Sequence, residues 1–155
     1  MNGWEAYKAH TAGDGAFLDP LRQKVRAVAA EKNLVPRMND AKWTQLQEAV
    51  AGLPFPPAFI LRRVTDPDGS PPDGAFGGKP PWWHGDWSNY YEEGMPPLFA
   101  IEWITVWPQK SVHRGRLVPD GIVDATDAFR AILERLGIPF VEERGLFTIH
   151  GYARD

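Results

Sequence analysis

The sequence predicts an α+β fold in which three helices pack on a mostly antiparallel sheet of four to five strands, with one long loop rich in proline, glycine and tryptophan. Helical and strand periodicities follow one another in the order helix, helix, strand, strand, helix, strand, strand. Residues 97–107 carry apolar side chains on both faces of an extended strand, which is typical of a central strand covered on both sides. We expect one α+β domain over residues 16–155, preceded by a flexible N-terminal arm at residues 1–15.

Composition excludes several classes of site in this 155-residue chain. The chain contains no cysteine, so disulfides, thiolate metal sites and cysteine nucleophiles are excluded. A formal net charge of −3 argues against direct nucleic-acid binding, which requires a basic face. The chain shows neither a basic-then-apolar leader nor an apolar run of about 18 residues, so we expect a cytoplasmic protein without a membrane partner.

Three helices are predicted from apolar residues at helical spacing and from their flanking caps. The first is expected over residues 20–32, because an aspartate precedes it and proline fits the first helical position. The second begins at a cap provided by Asn39 or Asp40. The third begins after Asp124 and ends at Gly137, a glycine of the C-cap type.

The predicted strands occupy the remaining periodic segments. Residues 58–64 follow a proline pair that favours an extended entry, and residues 97–107 form the central strand. A short strand is predicted at residues 116–118. Residues 140–142 and 146–152 are expected to pair as a hairpin around a glycine-containing turn.

The long loop at residues 66–97 differs from a plain linker in its composition. Six carboxylates against one lysine give it a net charge of −5, whereas the rest of the chain is at +2. A loop of this length inside a compact domain is functional or partly disordered. Because tryptophan and tyrosine are enriched at interface hot spots, the loop is the predicted protein-binding surface. The predicted contact residues are the aromatic anchors Trp82, Trp83, Trp87, Tyr90 and Tyr91 and the steering carboxylates Asp86, Glu92 and Glu93.

The same aromatic stretch permits two other interpretations. His84 and Asp86 lie two residues apart. This spacing is compatible with a general base and the carboxylate that orients it, or with two metal ligands. A metal site needs at least three protein ligands and no second His or Cys cluster follows, so we expect no metal and no cofactor. Alternatively, the tryptophans fold back over the sheet with polar residues between them.

A basic segment after the central strand is a candidate anion-binding turn. His113, Arg114 and Arg116 surround a glycine, and two guanidinium groups over such a turn are able to hold a phosphate. The alternative is a solvated turn whose arginines pair with the acidic loop of the same molecule.

Glu102 is the charged residue within the central strand. Its two interpretations are a structural ion pair with Arg62 or Arg63 and a general base. We expect the ion pair.

Five short motifs carry a resemblance to a known family. They lie at residues 38–43, 53–57, 101–104, 113–115 and 137–140. In these motifs the sequence resembles a family of small bacterial cytoplasmic proteins of unknown function, over residues 34–152. The resemblance implies a stand-alone cytoplasmic domain and an association with toxin-immunity loci, and it supplies no catalytic residues.

Taken together, these features predict a non-enzymatic protein-binding domain, namely an immunity protein that neutralises a cognate bacterial toxin by occluding its active site. The expected partner is a toxin or another protein with a basic surface, which an acidic loop would attract. One alternative is a small nucleotide- or phosphate-binding enzyme that uses the turn at residues 113–116 together with Glu102. Another is a scaffold whose exposed tryptophans self-associate.

Overall fold

The computed structural model describes Lys8 and residues 15–70, 76–89 and 94–154. Residues 15–70, 76–89 and 94–154 contain three α-helices: α1 Gly15–Glu31, α2 Asp40–Val50 and α3 Thr126–Leu136. The strands of the same region are β1 Leu34–Pro36, β2 Ala58–Arg63, β3 Ile101–Trp107, β4 Gln109–Val112, β5 Gly121–Asp124, β6 Val141–Glu143, β7 Leu146–His150 and β8 Tyr152–Arg154.

The strands form three antiparallel sheets. The largest has four strands in the order β2-β3-β7-β6, and two smaller sheets pair β1 with β8 and β4 with β5. This confirms the predicted α+β class, with three helices and mostly antiparallel sheets. The predicted hairpin is β6 and β7, turned through left-handed backbone at Arg144 and Gly145 (φ 54° and 81°).

A β-bulge shifts the side-chain alternation of the central strand. The register changes between Arg62 and Arg63 of β2, which leaves Glu102 of β3 without a partner residue on β2. Ile101 and Ile104 are therefore both fully buried in the same cluster, although strict alternation would place them on opposite faces. The prediction of a regular strand from residue 97 is wrong at its start, where Leu98–Ala100 forms a 3-10 helix.

Helices α2 and α3 cover one face of the main sheet. Their buried side chains and those of the sheet form a single cluster, which includes Trp43, Leu46, Phe129, Leu133, Leu61, Ile104, Val106, Phe147 and Ile149. The opposite face has Thr105 and Thr148 at its centre, with their hydroxyls 2.9 Å apart, and a hollow of about 670 Å³ opens over them. Among the described residues the helical cover is thus one-sided, although every residue of the central strand is buried or half-buried. On the face away from the helices Phe76 packs edge-on against Trp107.

Helix α1 rests on a second, smaller cluster. Leu18, Val25 and Ala29 pack there with Phe99 of the 3-10 helix. The helix begins at Gly15 and not at the predicted residue 20, so its proline lies inside it and removes one backbone hydrogen bond. Burial of Leu18, which is 3% exposed, explains the earlier start because its apolar contacts offset that loss.

The segment that joins the sheet to α3 forms a hairpin that the sequence did not predict. β4 and β5 pair from Gln109 opposite Asp124 to Val112 opposite Gly121. Residues 116–118 lie in the connecting loop, so the prediction of a strand there is wrong. The predicted C-terminal glycine is confirmed, since α3 ends at Gly137 in the left-handed conformation. The N-cap is Ala125 and not the predicted Asp124, which lies one residue earlier and accepts the Thr126 N–H through Oδ1 at 2.9 Å. No helix in the described part of the chain is long and apolar enough to cross a membrane.

Candidate functional site

The tryptophan-rich segment is attached to the body of the protein through two prolyl carbonyls. The Gly85 N–H donates to the Pro56 carbonyl at 3.1 Å, and the indole N–H of Trp87 donates to the Pro57 carbonyl at 2.9 Å. A Cβ on Gly85 would lie 2.1 Å from the Pro57 oxygen and 2.9 Å from the Phe59 ring. Only glycine therefore allows this approach of the two backbones.

Trp87 is a core residue and not a surface anchor. It is 8% exposed, and its ring meets Phe59 edge-on with the centroids 5.1 Å apart. The side chain of Gln47 donates to the Trp87 carbonyl at 2.8 Å and to Oδ1 of Asn89 at 3.0 Å. For this tryptophan the structure agrees with the alternative of folding back on the sheet, and the predicted partner contact is wrong.

Trp82 and Trp83, in contrast, lie on the surface. Their side chains are 73% and 36% exposed, and the two rings pack edge to face. The residues just before them run beside β4, because Ser111 donates through its N–H to the Pro81 carbonyl and through its hydroxyl to the Pro80 carbonyl. The two rings are thus attached to the β4–β5 hairpin.

Exposed apolar side chains concentrate at this hairpin. The described residues include eight large hydrophobic side chains that are exposed: Phe17, Trp82, Trp83, Leu117, Val118, Ile122, Val123 and Val141. Six of the eight are Trp82, Trp83 and four residues of the hairpin. We call this surface, made of β4, β5, the connecting residues 113–120 and the two tryptophans, the apolar arm.

Sequence reasoning missed the four aliphatic residues of the apolar arm. Leu117 is 94% exposed, and Val118, Ile122 and Val123 are 50%, 54% and 38% exposed. The one signal in the sequence is a set of aliphatic residues within a stretch of proline, glycine, aspartate and arginine. Leu117 and Val118 fall in the strand predicted at residues 116–118, and no element is predicted for Ile122 and Val123.

The predicted anion-binding residues face different partners within the arm. Nδ1 of His113 lies 3.4 Å from a carboxylate oxygen of Asp120, and the Arg114 guanidinium packs on the backbone of Gly121. Arg116 is exposed in the connecting loop. With these contacts the three side chains do not converge on one site that would hold a phosphate.

Glu102 lies away from this turn. Its carboxylate is 3.9 Å from Nε of Arg62, so the expected structural ion pair is confirmed. The Arg62 guanidinium also donates to the carbonyls of Asp66, Pro67 and Ser70. Glu102 lies five residues before the end of β3, which places it roughly 16 Å from the end of the strand that leads into the arm. Glu102 and residues 113–116 therefore do not form one site.

His84 and Asp86 each have a partner near the arm. The His84 ring stacks beside Phe55, and its Nε2 lies 2.6 Å from Nζ of Lys110. Oδ1 of Asp86 accepts the Ser88 N–H at 2.9 Å within a turn. No group of three or more His, Cys, Asp or Glu side chains in the described ranges is arranged to hold a metal ion.

Four of the predicted contact residues, Tyr90, Tyr91, Glu92 and Glu93, lie outside the described residues. Of the predicted contact set, the structure therefore places Trp82, Trp83 and Asp86 at the surface and Trp87 in the core.

Together these features define a small α+β protein that carries an apolar, aromatic arm beside a helix-covered sheet. The chain belongs to a family of unknown function, DUF6678, whose sequence model matches residues 25–155. No curated protein and no solved structure matches the chain.

Most of the short motifs named in the sequence analysis contribute to the fold, as helix caps or core residues. Asn39 caps α2 through a 2.8 Å bond from the Lys42 N–H, and the Lys42 ammonium donates to the Leu136 carbonyl at the end of α3. Trp43 is buried, and Gly137 ends α3 in the left-handed conformation. The motif at residues 113–115 differs, since it lies in the exposed loop of the arm.

Proposed function

We propose that this protein is a non-enzymatic protein-binding domain and that the apolar arm is its contact surface. The observation that supports this most is that, among the described residues, six of the eight exposed large apolar side chains belong to the β4–β5 hairpin and the two tryptophans beside it. Exposed apolar residues on monomeric proteins are ordinarily scattered singly, and a concentration of them marks an interaction site. Trp82 and Trp83 are of the residue type most enriched among interface hot spots.

The more specific form of the proposal is an immunity protein that occludes the active site of a bacterial toxin. Its support is the charge of residues 66–97, which carry a net −5 and include the exposed Asp86 next to the tryptophans. A toxin that acts on nucleic acids or nucleotides has a basic cleft, and complementary charge accelerates encounter with such a cleft. The aromatic rings would then supply the short-range contacts.

The test begins with affinity purification of the tagged chain, co-expressed with the genes on either side in its native host, and mass spectrometry of what is retained. Light scattering of the isolated chain is run in parallel. A stoichiometric neighbour with a toxin-like domain and a monomeric free chain are the expected results. A dimer that Trp82→Ala dissociates would replace the proposal with self-association.

Binding of that partner to surface variants then locates the contact. We expect Trp82→Ala and Leu117→Ser each to raise Kd by about tenfold or more, with the thermal midpoint unchanged because both side chains are exposed. The matched control is Val141→Ser, an exposed aliphatic residue on β6, outside the arm, which should leave Kd unchanged. Equal effects of all three variants would remove the arm from the proposal.

Association kinetics test the charge argument separately. Replacing Asp86, Glu92 and Glu93 with Asn, Gln and Gln should slow association and flatten its dependence on salt. An unchanged association rate would exclude a basic partner while leaving the arm as the contact surface.

A further inference from the structure

A second recessed surface lies outside the apolar arm, between α1 and the paired strands β1 and β8. Its volume is about 340 Å³. The residues that line it are Arg22, Val25, Arg26, Ala29, Ala30, Leu34, Pro36, Phe99 and Tyr152. Two of these nine are arginines and none is acidic, so the groove combines an apolar lining with positive charge.

The two arginines lie on the same face of α1, one helical turn apart. The Arg22 guanidinium carbon is 4.2 Å from the centroid of the Phe99 ring, a cation–π contact that leaves the N–H groups at the edge of the guanidinium plane. Within the described chain, no hydrogen bond or ion pair joins the side chain of Arg22 or Arg26 to another residue. Arg62 and Arg130 are different, because carbonyls and carboxylates accept their N–H groups.

Tyr152 forms a fixed wall of the groove. Its hydroxyl donates to the Phe99 carbonyl at 2.7 Å, which holds the phenol ring against the 3-10 helix. Burial and the negative charge of Asp40 raise the pKa of Tyr152, and the positive charges of Arg22 and Arg26 oppose that rise. Asp40 does not line the groove, whereas both arginines do, so the charge at the groove itself is positive.

We propose that this groove binds a small organic anion, a carboxylate carried on an apolar body. Ala30, Leu34 and Pro36, which are exposed or half-buried, provide the surface that removes the body from water, and the guanidinium forks match the geometry of a carboxylate. The volume lies at the lower end of the range for small-molecule sites, about 300 to 1,000 Å³, so the ligand is small. This site is separate from the apolar arm and does not depend on the arm's function.

Calorimetric titration of the whole chain with octanoate tests the proposal. Octanol, which has the apolar body without the charge, and inorganic phosphate, which has the charge without the body, serve as comparison ligands. Octanoate should bind at roughly millimolar or lower Kd and at least about tenfold more tightly than either comparison ligand. Failure of octanoate to bind, or binding of octanol with equal affinity, overturns the proposal.

Charge-neutral variants locate the site. Arg22→Gln and Arg26→Gln should each weaken octanoate binding by about tenfold, and Arg22→Lys should retain part of the affinity because it keeps the charge without the fork. Lys24→Gln, an exposed cation on the same helix that does not line the groove, is the matched control and should bind octanoate normally. Equal weakening by Lys24→Gln would assign the effect to net charge and overturn the site. Thermal midpoints of all four variants check that they are folded.

Discussion

A single glycine determines how the tryptophan segment meets the sheet. At Gly85 the backbone passes so close to Pro57 that no side chain fits, and this approach allows the indole of Trp87 to reach the Pro57 carbonyl. The neighbouring tryptophans have no such attachment to the core and stay exposed. The difference between a buried and an exposed tryptophan within six residues thus depends on backbone contacts at one position.

We predict that Gly85→Ala destabilises the protein by about 1–3 kcal/mol, as expected for overpacking against backbone that cannot move away. The reason is the 2.1 Å distance between the added Cβ and the Pro57 oxygen. Urea unfolding followed by tryptophan fluorescence measures the change. Gly77→Ala is the control, because nothing lies within 4 Å of its added Cβ. Equal stability of the two variants would contradict the close approach.

Pairs of elements are joined by side-chain bridges as well as by packing. The guanidinium of Arg130 on α3 forms two parallel bonds to Glu142 on β6, at 2.7 and 2.6 Å, and a third to Asp127. The hydrogen bonds from Arg130 lower the pKa of Glu142 below its ordinary value of 4.5. A helix is thereby tied to the edge strand of the main sheet.

This bridge predicts a specific pH dependence. Because the folded-state pKa of Glu142 lies below the unfolded value, its contribution to stability is present above about pH 4.5 and is lost as pH falls through the folded pKa. In Arg130→Gln the NMR titration midpoint of the Glu142 carboxyl should return toward 4.5. Arg135→Gln, on the same helix but outside the bridge, should leave the midpoint low. A low midpoint in both variants would show that Arg130 is not the cause.

The helices could be predicted because their signals are local. The N-cap of α2 at Asn39 and the glycine that ends α3 at Gly137 act within a few residues of their own position, so sequence spacing identifies them. The bulge at Glu102 could not be predicted, since it depends on the register of β2. The β4–β5 pairing was missed because eight residues without a short turn motif separate two strands of four.

The candidate site was predicted less completely than the fold. The aromatic composition of residues 66–97 correctly singled out Trp82 and Trp83 as surface residues. It gave no means to separate them from Trp87, because the segment has no periodicity and the burial of Trp87 depends on distant contacts with Gln47 and Pro57. The aliphatic half of the arm became recognisable only from side-chain exposure.

At the scale of the whole molecule, the described residues form two apolar clusters of unequal size. The larger contains sixteen buried residues and joins α2, α3 and the main sheet, whereas the smaller contains six and holds α1. Since apolar burial is the main stabilising contribution, the two parts of the structure differ in local stability.

We predict that native-state hydrogen exchange separates these two parts. Amides of β3 and β7 should exchange only through global unfolding, whereas those of α1 should exchange through an opening of lower free energy and smaller denaturant dependence. Exchange measured at several sub-denaturing urea concentrations provides both quantities for each amide. If α1 and β3 amides share one free energy and one slope, the protein unfolds as a single cooperative unit and the prediction is wrong.

The attachment of the tryptophan segment at both ends has a mechanical consequence. Toward its start, Pro80 and Pro81 are bonded to Ser111 in the arm, and toward its end Gly85 and Trp87 are bonded to Pro56 and Pro57 in the body. The residues between these two attachments therefore link the arm to the body of the protein. The arm cannot bend away from the sheet unless the hydrogen bonds at one of the two attachments break. Trp82 and Trp83 lie between these two attachments, so under the proposed function a partner would meet two rings on a backbone held at both ends, and binding would cost little backbone conformational entropy.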